Sequence, residues 1–86
     1  MEKLTTKQLE TIQSVLWDRL DSLDALINDE GYEVKKWRAV LKHTTNENER
    51  DEIQGYINAH NQRKRDYKKE YKKLYAVNEK LYGFYY

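Results

Sequence analysis

Residues 53–81, IQGYINAHNQRKRDYKKEYKKLYAVNEKL, decide the fold. Ile53, His60, Tyr67, Leu74 and Leu81 recur every seven residues, and a second series, Ile57, Lys64, Tyr71, Asn78 and Tyr85, runs four positions behind it. Alternating steps of four and three bring side chains onto one side of an α-helix, whereas a half-buried strand would repeat every second residue. His60, Lys64 and Asn78 make this a heptad-like seam with polar members. No proline interrupts the stretch, and Gly55 is its one weak point, at about 1 kcal/mol relative to alanine in a helix interior. The spacing predicts a helix over about 46–82. Gly83 stands where a C′ glycine belongs, with Phe84 as the hydrophobic residue that follows one.

Toward the N-terminus, the spacing predicts a helix over about 6–27. Leu9, Ile12, Leu16, Leu20, Leu23 and Ile27 form its apolar stripe, widened by Val15 and Leu26. Thr5 with Gln8 has the spacing of a capping box, and Leu4 with Leu9 that of a hydrophobic staple. The run Asn28-Asp29-Glu30-Gly31 reads as a helix end. A shorter helix follows over about 33–43, with Val34, Trp37, Val40 and Leu41 on one side. Thr44, Thr45 and Asn46 form the next break, and Thr44 with Glu47 repeats the capping-box spacing. The expected fold is all-α: a small bundle or hairpin of two N-terminal helices and one long C-terminal helix.

Lengths bear on partners. At 1.5 Å per residue the first helix spans roughly 33 Å and the third roughly 55 Å. Either the third helix breaks or kinks near Gly55, giving four helices, or the two N-terminal helices leave part of it uncovered, and a second copy of the chain is then the expected cover, as a homodimer.

The 86-residue length fits one domain, and the chain contains no cysteine and no proline. Without thiols there is no disulfide and no thiolate metal site, so helix packing and association must supply the stability. No stretch approaches the roughly 20 apolar residues of a membrane span, and the N-terminus lacks a secretory apolar core. These features point to a cytoplasmic protein with no membrane association. Charged residues make up 36% of the chain, yet the net charge is +1, because charge comes in blocks. Residues 1–30 hold seven acids and three bases; residues 31–45, one acid and four bases; residues 46–60, four acids and one base; residues 61–86, three acids and eight bases. The acidic first block complements the basic last one, and direct neutralisation between them is the plainest expectation for the lysines.

The stretch 63–75 combines a basic face of Arg63, Lys64, Arg65, Lys68, Lys69, Lys72 and Lys73 with an aromatic face that includes Tyr67, Tyr71, Tyr75 and, a turn or two further on, Tyr82. Tyrosines can pack a core with their hydroxyls at its rim while lysines solvate the outside. The same face can grip a protein, with Tyr67, Tyr71, Tyr75 and Tyr82 as rigid anchors alongside Trp17 and Trp37. It can also track phosphates and stack on bases.

Residue patterns for catalysis are absent. His43 and His60 are the two histidines and fall in no metal-ligand spacing; there is no glycine-rich phosphate loop. Asp18, Asp21 and Asp24 lack the calcium-loop pattern and belong to a solvated face. The expectation is a protein without enzymatic activity or cofactor that binds a macromolecule. A protein partner is the first reading, a nucleic-acid-binding accessory role the second, and a self-assembling structural subunit the third. In size and composition, rich in lysine, asparagine and tyrosine, the chain resembles the small accessory proteins of tailed bacteriophages. The resemblance is one of general composition over the whole chain, and it implies a regulator or inhibitor of a host protein.

Overall fold

The computed structural model describes residues 5–83. It contains two long helices, α1 (Thr6–Lys42) and α2 (Glu47–Tyr82), packed antiparallel into a hairpin about 63 Å long and 18 by 14 Å across. The all-α class holds, but the three expected helices are two. The segments expected at 6–27 and 33–43 are a single helix, continuous through Asn28-Asp29-Glu30-Gly31.

The reason lies in the phase of the seam. In α1, Leu9, Leu16, Leu23, Glu30 and Trp37 form one seven-residue series, and Gln13, Leu20, Ile27, Val34 and Leu41 the other. Every one of these positions is buried or half-buried. The series passes through the apparent break without slipping, so Val34, Trp37 and Leu41 emerge on the face that Leu20 and Leu23 began. There they pack with Ile53 and Ile57. Burial of each such side chain contributes about 1.5–3 kcal/mol, which outweighs the roughly 1 kcal/mol that Gly31 costs in a helix interior. The same phase corrects the apolar stripe: Gln13, not Ile12, takes the seam position, and Ile12 is exposed.

α2 follows its predicted seam. Ile53, Ile57, Asn78 and Leu81 are buried, while His60, Lys64, Tyr67, Tyr71 and Leu74 are half-buried. Gly55 does not interrupt the helix. With 37 residues in α1 and 36 in α2, the helices match in length, so α2 does not outrun its companion and the length argument for a second copy loses its premise.

Thr5 caps α1 as expected: its hydroxyl accepts from Gln8 N at 3.1 Å, and Gln8 Oε1 accepts from Thr5 N at 2.8 Å. At α2 the cap is Asn46 instead of Thr44. Asn46 Oδ1 accepts from the amides of Asn48 and Glu49, while the Thr44 hydroxyl donates back to Val40 O. Arg50 tightens the connection by donating from Nη1 to Leu41 O and Thr44 O, both at 2.8 Å, which ties the start of α2 to the end of α1 and the turn that follows it. Gly83 is the C-cap of α2 in a right-handed conformation, φ −61°, so its glycine freedom is not used. Leu4, Phe84 and Tyr85 lie outside the described residues.

Leu23 is 0% exposed at the centre of the hairpin, and Asn78 is 1% exposed, its Oδ1 lacking a hydrogen-bond partner among the described residues. The two positions therefore have opposite expected responses. Leu23→Ala is expected to lower unfolding free energy by about 2–5 kcal/mol. Asn78→Leu is expected to raise it, because a buried unsatisfied acceptor costs about 1–3 kcal/mol. Urea unfolding followed by circular dichroism measures both, and a destabilised Asn78→Leu would show that the amide is better accommodated than this.

A candidate binding edge

The two helices are locked in register by polar contacts as much as by apolar ones. Arg19 lies in α1 across from Glu70 in α2: its Nε donates to Oε2 at 2.6 Å and its Nη2 to Oε1 at 3.1 Å. Eleven positions on, Glu30 meets His60, with Nδ1 at 2.5 Å from Oε2, and Arg63 Nη1 stands 3.7 Å from the other carboxylate oxygen. Pairing 19 with 70 and 30 with 60 puts residue n of α1 across from about residue 90 − n of α2. His60 is the half-buried seam residue its heptad position called for.

The hydrogen bond from Arg19 holds the Glu70 carboxyl below the usual carboxylate range, and Glu70 raises the Arg19 guanidinium in turn. Both groups are open to solvent, so the pair sets register more than it stabilises. Since the folded value of Glu70 is the lower one, its contribution is present above the unfolded carboxyl range and is lost as pH falls through the folded value. Glu70→Gln is expected to remove this part of the acid limb of stability against pH, most visibly at low salt; an unchanged limb at low salt would show the pair to be inert.

This register lines up the charge blocks. The acidic 1–30 block runs beside the basic 61–86 block, and basic 31–45 beside acidic 46–60. The block boundaries, at 30/31 and 60/61, fall at one level of the hairpin, beside the Glu30–His60 contact. Across that level the diagonal neighbours are both basic. Lys35 and Arg38 from α1 and Lys64 and Lys68 from α2 therefore converge on one edge, around a groove of about 640 Å³. Ile27 and Val34 supply apolar lining, and Asn28 and Asn61 contribute amides. Gly31 opens the groove from α1, and the half-buried Lys64 crosses it: a Cβ at Gly31 would lie 3.5 Å from Lys64 Nζ. None of the four cations has a carboxylate within ion-pair distance among the described residues. The expected direct neutralisation of the basic block is confined to Arg63 in those contacts.

The same edge carries aromatic residues. At heptad spacing Glu10, Trp17, Asp24, Gly31 and Arg38 share one flank of α1, and Asn61, Lys68, Tyr75 and Tyr82 the matching flank of α2. Trp17 is 39% exposed, Tyr75 42% and Tyr82 45%. Tyr75 stacks on Tyr71, with ring centroids 6.2 Å apart and planes 12° from parallel. Tyr67 and Tyr71 are half-buried in the seam. Trp37 is taken up by the fold: it packs on the Val34–Ile53–Ile57 cluster, and its ring centroid lies 5.0 Å from that of Tyr56. Of the basic residues, Lys64 and Lys68 reach the groove, Arg63 turns to Glu30 on the opposite edge, and Arg65, Lys69, Lys72 and Lys73 are exposed. Asp18, Asp21 and Asp24 are exposed as well.

Lys35, Arg38 and Gly31 were missed as site residues by sequence reading. The signal was present in the unbroken seam phase, which puts Asn28, Gly31, Lys35 and Arg38 along one side of a single helix, with Gly31 a gap in it. No helix among the described residues is long and apolar enough to cross a membrane. Comparison with protein-family models, curated proteins and solved structures returned no match.

Because a Cβ at position 31 meets Lys64 only at ordinary contact distance, Gly31→Ala is expected to stabilise the hairpin by up to about 1 kcal/mol. Thermal unfolding measures this; a lower Tm would mean that Lys64 has no room to yield.

Proposed function

We propose that this chain is a non-catalytic protein-binding module, a small regulator that works by occupying a partner protein along the edge bearing Trp17, Tyr75, Tyr82 and the Gly31 groove. One observation carries the reading: this edge brings together solvent-exposed aromatic rings and four cations without ion-pair partners. Tryptophan, tyrosine and arginine dominate the energetics of protein interfaces, so Trp17, Tyr75, Tyr82 and Arg38 are the anchors, and the three lysines add charge complementarity. A rod about 63 Å long offers such an edge without rearranging. The compositional resemblance to phage accessory proteins points the same way.

The second reading is a nucleic-acid-binding accessory protein. The stacked Tyr71–Tyr75 pair beside exposed Lys68 and Lys72 favours it, since cations and aromatic faces together hold single strands. The balanced charge of the whole chain makes it the lesser of the two. A second copy of the chain competes for the same surface, as a homodimer or a larger assembly.

The test is purification of the tagged chain from its source cells, with mass spectrometry and nucleic-acid staining of what accompanies it. The expected result is a stoichiometric protein that survives moderate salt and is lost in a Trp17→Ala/Tyr75→Ala variant with unchanged helicity. Nucleic acid that washes off with a steep salt dependence would move the assignment to the second reading. Recovery of the chain alone, with a multimeric mass in sedimentation, would make it a structural subunit.

A further inference from the structure

We infer that the groove at Gly31 is the seat of an acidic amphipathic helix from the partner protein, which would complete the hairpin as a three-helix bundle. This rests on the protein-binding reading and names the chemistry of the partner.

The walls and the lining of the groove each restrict the occupant. Its walls are Lys35 and Arg38 on one helix and Lys64 and Lys68 on the other. The spacings, three along α1 and four along α2, present two cationic ridges parallel to the hairpin axis. Since Lys64 and Lys68 stand across from about residues 26 and 22 of α1, the ridges are offset along the axis, and carboxylates on the two flanks of a third helix, staggered by about two turns or more, would match them. Between them the lining includes Ile27 and Val34, which suit an apolar stripe and give a bare phosphate nothing to bind.

Backbone geometry also disfavours a small oxyanion. Gly31 is internal to α1, so its N–H is engaged in the helix's own hydrogen bonding. The groove therefore has none of the free amides with which glycine-rich loops and helix N-termini hold phosphate. The missing side chain at Gly31 supplies room instead, as small residues do where helices approach closely. Lys64 then has a defined part: its stem lies across the seam while its ammonium stands over the glycine, ready to swing to an incoming carboxylate.

The experiment is selection of a displayed library of random peptides of about 20 residues, roughly 30 Å long as helices, against the whole chain. The selected peptides are then titrated onto the wild type, a Lys35→Glu/Lys68→Glu variant and a Gly31→Leu variant. Lys35 and Lys68 are exposed, so the charge reversal is expected to leave helicity unchanged by circular dichroism. The expected outcome is enrichment of sequences with Asp or Glu flanking an apolar stripe at helical spacing. Their affinity is expected to fall about tenfold or more on charge reversal and to fall on filling the groove with leucine. Selected peptides that bind the charge-reversed variant as well as the wild type, and are lost with Trp17→Ala/Tyr75→Ala, would overturn the groove assignment while leaving the protein-binding reading intact. Failure of any peptide to enrich would overturn the helix assignment, and the protein-binding reading then stands or falls on the co-purification alone. Tighter binding of a poly(dT) oligonucleotide than of any peptide, abolished by the same charge reversal, would also overturn the inference and assign the groove to nucleic acid.

Discussion

The structure depends on one constraint: two helices of nearly equal length keep the same four–three phase over their whole run. A hairpin of two helices has a single seam, and any residue off phase is pushed to a flank. Leucine at 20 and 23, valine at 34 and isoleucine at 53 and 57 supply the apolar part of that seam. Gln13, Glu30, His60, Lys64 and Asn78 are polar members of the same seam. A shift by one turn would part the buried Glu30 from His60, which is costly, and would also part the solvent-exposed Arg19–Glu70 pair, at little cost. Register is thus held by polar groups, while cohesion comes from burial.

The basic edge follows from that register. Charge blocks that balance over the whole chain do not balance locally, because their boundaries coincide where α1 passes α2. Opposite blocks face each other squarely, and like blocks meet at the diagonal. The convergence of Lys35, Arg38, Lys64 and Lys68 is therefore a product of alignment. Gly31 sits at that point with no positive φ to explain it. Its effect on the structure is the space it leaves for the ammonium of Lys64 and for whatever displaces it.

Tryptophan and tyrosine divide between cohesion and display according to their heptad positions. Trp37, Tyr67 and Tyr71 are on the seam and are wholly or partly covered, whereas Trp17, Tyr75 and Tyr82 are one position off it and stay open. The sequence contained this information once the phase of each helix was known. Grouping Tyr67 and Tyr71 with Tyr75 on one broad aromatic face blurred the distinction, because a single helix viewed alone has no seam to separate core from flank.

Local chemistry by itself determined the helical class, the extent of α2, the Thr5–Gln8 cap and the half-buried place of His60. These depend on neighbours within a turn or two or on a repeat carried by one segment. The continuity of α2 through Gly55 came from the structure. The tertiary structure decided whether Asn28–Gly31 ends a helix, since the cost of glycine there is local while the gain from seating Val34, Trp37 and Leu41 on Ile53 and Ile57 comes from the other helix. It also decided which cations find carboxylates and which stand open around Gly31. That outcome depends on the relative alignment of two stretches some thirty residues apart, a quantity that packing and the Glu30–His60 and Arg19–Glu70 contacts set together.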